Sequence, residues 1–239
     1  MVNVGILVHC RHLDTERWEQ LVFGEPASDL LGDHAMLARV VLGLTPEERL
    51  ACVVFGRGPS WREGMSEDAY AKKFLLDNLG RLSEFASLLP LIERAGPNGW
   101  DGFCRAMQAV VGTREVRNTV DEIHAASTVF SDHAVEKVIH IASASHAPRC
   151  AKEAAFARSN GRIDRRQMWL TLATDVSYQN TTPADVCVIE PLHRRDQPVT
   201  FVRPGLSEVI APYFALSDHD KVAFIRHVEA FMQHIASAL

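Results

Sequence analysis

The sequence predicts an α/β fold: a Rossmann-like, mostly parallel sheet with helices on both faces and a helical insertion or lobe. Short runs rich in valine and isoleucine recur along the chain, and segments with apolar residues three and four apart separate them. Alternating strand and helix patterns favour a parallel sheet. Of the 239 residues, 47% are hydrophobic and 23% are charged, as in ordinary globular proteins.

The predicted strands are short apolar runs bounded by polar or turn residues, which is typical of strands buried on both faces. They cover Val2–Val8, Leu50–Phe55, Lys137–Ala142 and Ala184–Ile189, with Met168–Ala173 as a weaker fifth.

The predicted helices carry apolar residues at helical spacing. They cover residues 30–44, 67–79, 82–92, 103–111, 119–130, 147–158 and a C-terminal segment from about residue 217. Gly96-Pro97 predicts the end of the third. We expect one domain over residues 1–239, in which the helices around 66–112 could form a lobe over the sheet.

Composition argues against several classes of protein. The net charge is −5, and the densest basic stretch, Arg162 to Arg166, contains Asp164, so no nucleic-acid partner is expected. No apolar run approaches the roughly 18 residues of a membrane helix. The five cysteines form no C-x-x-C pair, which argues against a disulfide framework. We expect a cytoplasmic protein, and the oligomeric state stays open.

The first candidate site follows the second predicted strand. Gly56 and Gly58 would let the backbone approach a ligand closely, and Ser66-Glu67 begins a helix whose free N–H groups favour anions. The alternative is a plain strand-to-helix loop with Ser66 as the N-cap.

The second candidate is the segment from Glu115 to Glu122. Thr119 and Glu122 fit a T-x-x-E capping box, which explains both without any function. Arg117 and Asn118 come directly before the cap, where side chains can reach a ligand at the helix start.

The third candidate follows the strand Lys137–Ala142. Ser143, His146 and Arg149 lie where that strand runs into a helix, and Pro148 suits a first helical turn. An anion site is predicted here, in which His146 could move protons near neutral pH. The alternative is a histidine that only makes structural hydrogen bonds.

The segment His9-Cys10-Arg11-His12 follows the first strand. Two histidines three apart could ligate a metal, but no third ligand is evident, so no metal site is predicted. For Cys10 and Cys150, a buried inert thiol is the expected state.

In this order, the segments resemble the YdcF/SanA/ElyC superfamily. Gly56 and Gly58 look like its glycine turn, and Ser66-Glu67 like the following helix start. Two longer segments complete the resemblance: Glu115 with Arg117-Asn118-Thr119, and Ala142-Ser143 with His146 and Arg149. The sequence departs from the family at His9-Cys10-Arg11-His12, where a glycine turn is usual. The serine expected near Val116-Arg117 is also absent.

The resemblance implies a site at the carboxyl ends of the strands and a nucleotide-like ligand, with S-adenosylmethionine as one candidate. We therefore expect a small anionic or nucleotide-like molecule to bind, and its hydrolysis or group transfer to follow. His146 would be the acid or base, and Glu67 or Glu115 would orient it or a hydroxyl. The alternative is a protein that binds or senses a nucleotide or S-adenosylmethionine without turnover.

Overall fold

The computed structural model describes residues 1–176, and in this part the predicted α/β fold is confirmed. The predicted strand at Ala184–Ile189 and the C-terminal helix lie outside the described residues. The strands are β1 Val2–Val8, β2 Gly24–Glu25, β3 Leu30–Leu31, β4 Glu48–Phe55, β5 Trp61–Arg62, β6 Met65–Ser66, β7 Val111–Gly112, β8 Lys137–Ala142 and β9 Met168–Ala173. The α-helices are α1 Trp18–Phe23, α2 Asp33–Leu42, α3 Glu67–Asp77, α4 Leu89–Gln108, α5 Thr119–Asp132 and α6 Ala147–Ser159.

Within residues 1–176, the central sheet has five strands in the order β7-β4-β1-β8-β9, and every neighbouring pair is parallel. Two antiparallel pairs, β2–β3 and β5–β6, lie in the connections. Because all five strands run the same way, their carboxyl ends share one edge of the sheet. Ligands of open parallel sheets bind at that edge.

Alternate residues of β1 face opposite layers of helices. Val4, Ile6 and Val8 belong to the larger core, which also contains residues of α1 to α4. Leu7 packs on the other face with Phe130 of α5, and a Cβ at Gly5 would lie 2.6 Å from that ring. The sheet is therefore covered on both faces, which explains the continuous apolar character of β1.

The segment between β4 and β7 is largely helical. It contains α3, a 3-10 helix at Leu79–Glu84 and α4, and its apolar residues share the larger core with the sheet. The helix end predicted at Gly96-Pro97 is observed as a kink within α4, because Gly96 has φ 62°. The single-domain prediction extends past residue 176 and stays a prediction.

No helix within residues 1–176 is long and apolar enough to cross a membrane.

Candidate functional site at the carboxyl edge of the sheet

The edge is assembled where three neighbouring strands end. The Gly56 amide, directly after β4, donates to the Val8 carbonyl of β1 (2.9 Å), and the His9 amide donates to Ile141 of β8 (3.0 Å). These bonds continue the parallel ladder by one residue and hold the strand ends together. The side chain of His9 then points to the face that α5 and α6 cover.

His9 is buried between a carboxylate and a second histidine. Its Nδ1 lies 2.5 Å from Oε2 of Glu122, in the first turn of α5, and its Nε2 lies 3.2 Å from Nδ1 of His140. Only 4% of His9 is exposed. Both ring nitrogens are thus in contact with polar partners that fix the orientation of the ring.

His140 lies in the middle of β8 and is fully buried. Its Nε2 is 2.6 Å from Oγ1 of Thr171, the residue paired with it in β9. Cys150 of α6, also fully buried, is within hydrogen-bonding reach of His9. Sequence reasoning missed His140, although a polar residue inside an apolar strand is a usable signal, because burial requires it to have a partner.

His146 joins the beginnings of two helices. It is the residue before α6, and its Nε2 lies 3.3 Å from Oγ1 of Thr119, the first residue of α5. Its ring meets that of His9 edge-on, with 5.7 Å between centroids. Gly56, Asn118 and His146 therefore converge on one rim, since Gly56 packs against Glu122 and Asn118 caps α5.

Ser143 shapes the turn that leads into α6. Its carbonyl accepts from the amides of His146 and Ala147, at 2.8 Å each. Its hydroxyl lies 3.3 Å from that of Ser145. The backbone of this turn therefore places the His146 ring over the start of α5.

The three histidines have different pKa shifts. Burial alone would lower the pKa of His9, but the charges of Cys150 and Glu122 outweigh burial and raise the pKa well above 6.5. Burial lowers the pKa of His140 to about 2, and that of His146 to about 3. The charges of His9 and, for His146, of Arg149 and Arg11 add to the lowering. The site therefore combines a charged His9 with two neutral rings.

Two arginines bring positive charge to this edge. Arg149, in the first turn of α6, is half-buried beside His146. Arg11 is buried and donates to both carboxylate oxygens of Asp33, at 2.7 and 3.0 Å, and to the Thr174 hydroxyl. Burial raises the pKa of Asp33 even though Arg11 opposes the shift. The Asp33 carboxylate and the Thr174 hydroxyl fix the orientation of Arg11.

The loop after β4 is held by Glu67. The carboxylate accepts from the amides of Gly58 (2.8 Å) and Ser60 (3.1 Å), and from the Ser60 hydroxyl. The predicted ligand-binding amide of Gly58 is therefore already hydrogen-bonded within the protein. Glu67 is 3% exposed, and its hydrogen bonds hold the loop at residues 58–60 in place.

Of three other predicted residues, Glu115 and Arg117 lie on the surface and Ser66 is buried. Glu115 is exposed, 3.9 Å from Arg57, and Arg117 is exposed in the segment before α5. Ser66 precedes α3 as predicted, but its hydroxyl donates to Asp68 (2.6 Å) rather than capping the helix. The structure does not bring Glu67 or Glu115 into contact with His146 among the described residues.

The predicted capping box at Thr119 and Glu122 is wrong. Asn118 is the N-cap, and its side-chain oxygen accepts from the Asp121 amide at 2.9 Å. Thr119 is already helical, and its hydroxyl is directed at His146. Glu122 is free to turn toward His9 because Asn118 supplies the cap.

His9 and His12, three residues apart, have different surroundings. The His12 side chain is 55% exposed and lies 3.6 Å from Asp14, while His9 is buried with His140. Burial raises the pKa of the Cys10 thiol well above 9, and carboxylates including that of Glu122 add to the shift. Cys10 is thus held as a neutral thiol.

Comparisons with family models, with curated proteins and with solved structures found no match. What the site can do therefore follows from its geometry. Two helix beginnings and Arg149 favour an anionic group at this edge. A neutral imidazole at His146 can accept or relay a proton.

Proposed function

We propose that this protein binds a small anionic or nucleotide-like molecule between the beginnings of α5 and α6 and catalyses its hydrolysis or group transfer. The observation that carries the proposal is the contact between Thr119 Oγ1 and His146 Nε2, 3.3 Å apart. It brings two helix N-termini together at the carboxyl edge of a parallel sheet. The dipoles of both helices favour negative charge there.

Arg149 is the proposed anchor for the anion. A guanidinium presents paired donors that match phosphate and carboxylate groups. Arg149 lies in the first turn of α6, close enough to His146 for its charge to lower the pKa of that ring. Arg117, exposed just before α5, can reach the same ligand from the rim.

His146 is the proposed base or proton relay. Its ring is neutral at physiological pH, and it lies beside both the Thr119 hydroxyl and the ring of His9. Glu67 and Glu115 take no part in the proposal, because their carboxylates contact the loop at residues 58–60 and Arg57. The carboxylate that lies among the histidines is that of Glu122.

The resemblance to the YdcF/SanA/ElyC superfamily supports the choice of ligand class. It points to a nucleotide-like molecule and adds S-adenosylmethionine to the candidates. Binding without turnover, as in a sensor, is the second function, and the same edge would serve it.

The test of binding is a thermal-shift screen with inorganic pyrophosphate, AMP, ADP, ATP and S-adenosylmethionine, followed by calorimetry. A specific ligand stabilises the protein by mass action. We expect Arg149→Ala to weaken binding of the best ligand about tenfold or more, a loss of about 1.4 kcal/mol. Arg158→Ala is the matched control, because Arg158 lies in the last turn of the same helix and is exposed.

Equal affinity in the Arg149→Ala and Arg158→Ala proteins would remove Arg149 from the site. No shift with any of the five compounds would contradict the proposed ligand class.

For a ligand that is turned over, we expect His146→Ala to lower kcat about 100-fold while the dissociation constant stays near that of the unmodified protein. An unchanged kcat would remove His146 from the mechanism, and binding without any product would favour the sensor.

A further inference from the structure

We propose that His9, His140 and Cys150 bind one divalent transition-metal ion of the zinc class. The three side chains are buried, and one potential ligand atom from each lies within 4.8 Å of the others. They come from the end of β1, the middle of β8 and the first turn of α6, so only the folded chain brings them together. This inference does not depend on the proposed anion site.

The spacing of the two histidine nitrogens fits a metal between them. Nε2 of His9 and Nδ1 of His140 are 3.2 Å apart. Zinc–nitrogen bonds of about 2.0–2.1 Å in a tetrahedral site place two nitrogen ligands about 3.3 Å apart. The separation of the two nitrogens therefore matches that of two ligands of one zinc ion.

The remaining nitrogen of each ring already has the partner that a metal-binding histidine usually has. Nδ1 of His9 is 2.5 Å from the Glu122 carboxylate, and Nε2 of His140 is 2.6 Å from the Thr171 hydroxyl. Such contacts fix the ring orientation, and a metal ion would replace the proton between Nε2 of His9 and Nδ1 of His140. A proton shared between His9 and His140 would satisfy the same two rings, with Cys150 as a further hydrogen-bond partner of His9, so titration with zinc decides between the two arrangements.

The set of ligand atoms selects the class of ion. Two imidazole nitrogens and one thiolate sulfur suit zinc and related transition metals, whereas calcium and magnesium prefer oxygen ligands. Three protein ligands are the number found in catalytic zinc sites, where water or substrate completes the coordination. His9, one of the three ligands, meets the ring of His146 edge-on, with 5.7 Å between centroids.

The first experiment is calorimetric titration of the chelator-stripped full chain with zinc chloride, with no nucleotide present. We expect one equivalent of zinc per chain. Cobalt in place of zinc should show a thiolate-to-metal charge-transfer band. X-ray absorption at the zinc edge should show one sulfur and at least two nitrogen neighbours.

Variants assign the ligands. Cys150→Ser should abolish the charge-transfer band, whereas Cys104→Ser on α4 should retain both the band and the zinc affinity. Glu122→Gln should weaken zinc binding about 10- to 100-fold, because Glu122 orients a ligand without being one.

No bound zinc in the unmodified protein, or a zinc shell without sulfur, would overturn the inference. Wild-type affinity in a folded Cys150→Ser protein would do the same. If that variant does not fold, the X-ray absorption spectrum of the unmodified protein decides. Because zinc alone is the probe, failure here leaves the anion site to its own test.

Discussion

At the scale of single residues, Gly56 and Glu122 occupy one space at the edge of the sheet. A Cβ at Gly56 would lie 1.4 Å from Oε1 of Glu122, so any side chain there displaces the carboxylate. That carboxylate is 2.5 Å from His9 through its other oxygen. The glycine therefore allows α5 to approach β4 closely enough for Glu122 to reach His9.

We predict that Gly56→Ala lowers the free energy of unfolding by about 1–3 kcal/mol through overpacking. Urea denaturation measures the change. Gly80→Ala is the matched control, since no atom lies within 4 Å of a Cβ there, and it should stay within about 0.5 kcal/mol of the unmodified protein. Equal stability of both variants would show that Glu122 can move away at no cost.

His34 is a second residue whose burial has a measurable consequence. It stacks on Phe55 with 11° between the ring planes and is 1% exposed, and neither ring nitrogen has a hydrogen-bond partner among the described residues. Burial, with the charge of Arg11, lowers its pKa to about 3. An unfolded chain protonates histidine near pH 6.5, so the unfolded state gains a proton first as the pH falls.

The contribution of neutral His34 to the free energy of unfolding is therefore complete above pH 6.5. It declines as the pH falls toward 3. We predict that between pH 7 and pH 5 the unmodified protein loses about 2 kcal/mol more unfolding free energy than His34→Leu does. Urea denaturation at a series of pH values measures this difference. Parallel pH curves for the two proteins would show that His34 titrates normally in the folded state.

At the scale of elements, different residues at the beginning of α5 cap the helix and contact the histidines. Asn118 caps the helix by accepting from the Asp121 amide, which leaves Thr119 for His146 and Glu122 for His9. The T-x-x-E pattern predicted that Thr119 and Glu122 satisfy each other locally. The prediction was wrong because the local pattern accounted for both residues. Their actual partners, His146 and His9, lie on other elements.

We predict that Asn118→Ala lowers the free energy of unfolding by about 1 kcal/mol, the usual cost of a lost N-cap. Asn118→Ser should retain most of that stability, because a serine hydroxyl also caps a helix and brings no charge next to the Asp121 carboxylate. Thermal or urea unfolding of both variants checks this. An Asn118→Ala protein as stable as the unmodified one would place the cap elsewhere.

The bounds of the strands were easier to predict from the sequence than the side-chain contacts of the candidate site. Val2–Val8, Lys137–Ala142 and Met168–Ala173 were predicted with the observed bounds, because buried apolar runs between polar ends carry a clear signal. The edge strand Val111–Gly112 was missed, since two residues hold no pattern. His140 and Glu122 were missed because their partners lie on other elements, at separations that sequence spacing does not encode.

At the scale of the whole molecule, the parallel strands place the candidate functional residues at one edge of the sheet. Ser143, His146 and Arg149 follow β8, His9 follows β1 and Gly56 follows β4, so one strand direction brings them together. A groove of about 340 Å³ lies elsewhere, between α2 and α4 and beside Leu50 of β4. Leu50 precedes Gly56 by six residues, or about 20 Å along an extended strand. The groove is the alternative location for a bound ligand, and the two locations can be distinguished by experiment.

Hydrogen–deuterium exchange with the best ligand of the screen tests most directly whether the site lies at the carboxyl edge. We predict slower exchange in peptides covering residues 113–123 and 143–150, where α5 and α6 begin, and unchanged exchange in peptides covering residues 41–50 and 95–106. Protection of the groove peptides with no change at the two helix beginnings would contradict the proposed site.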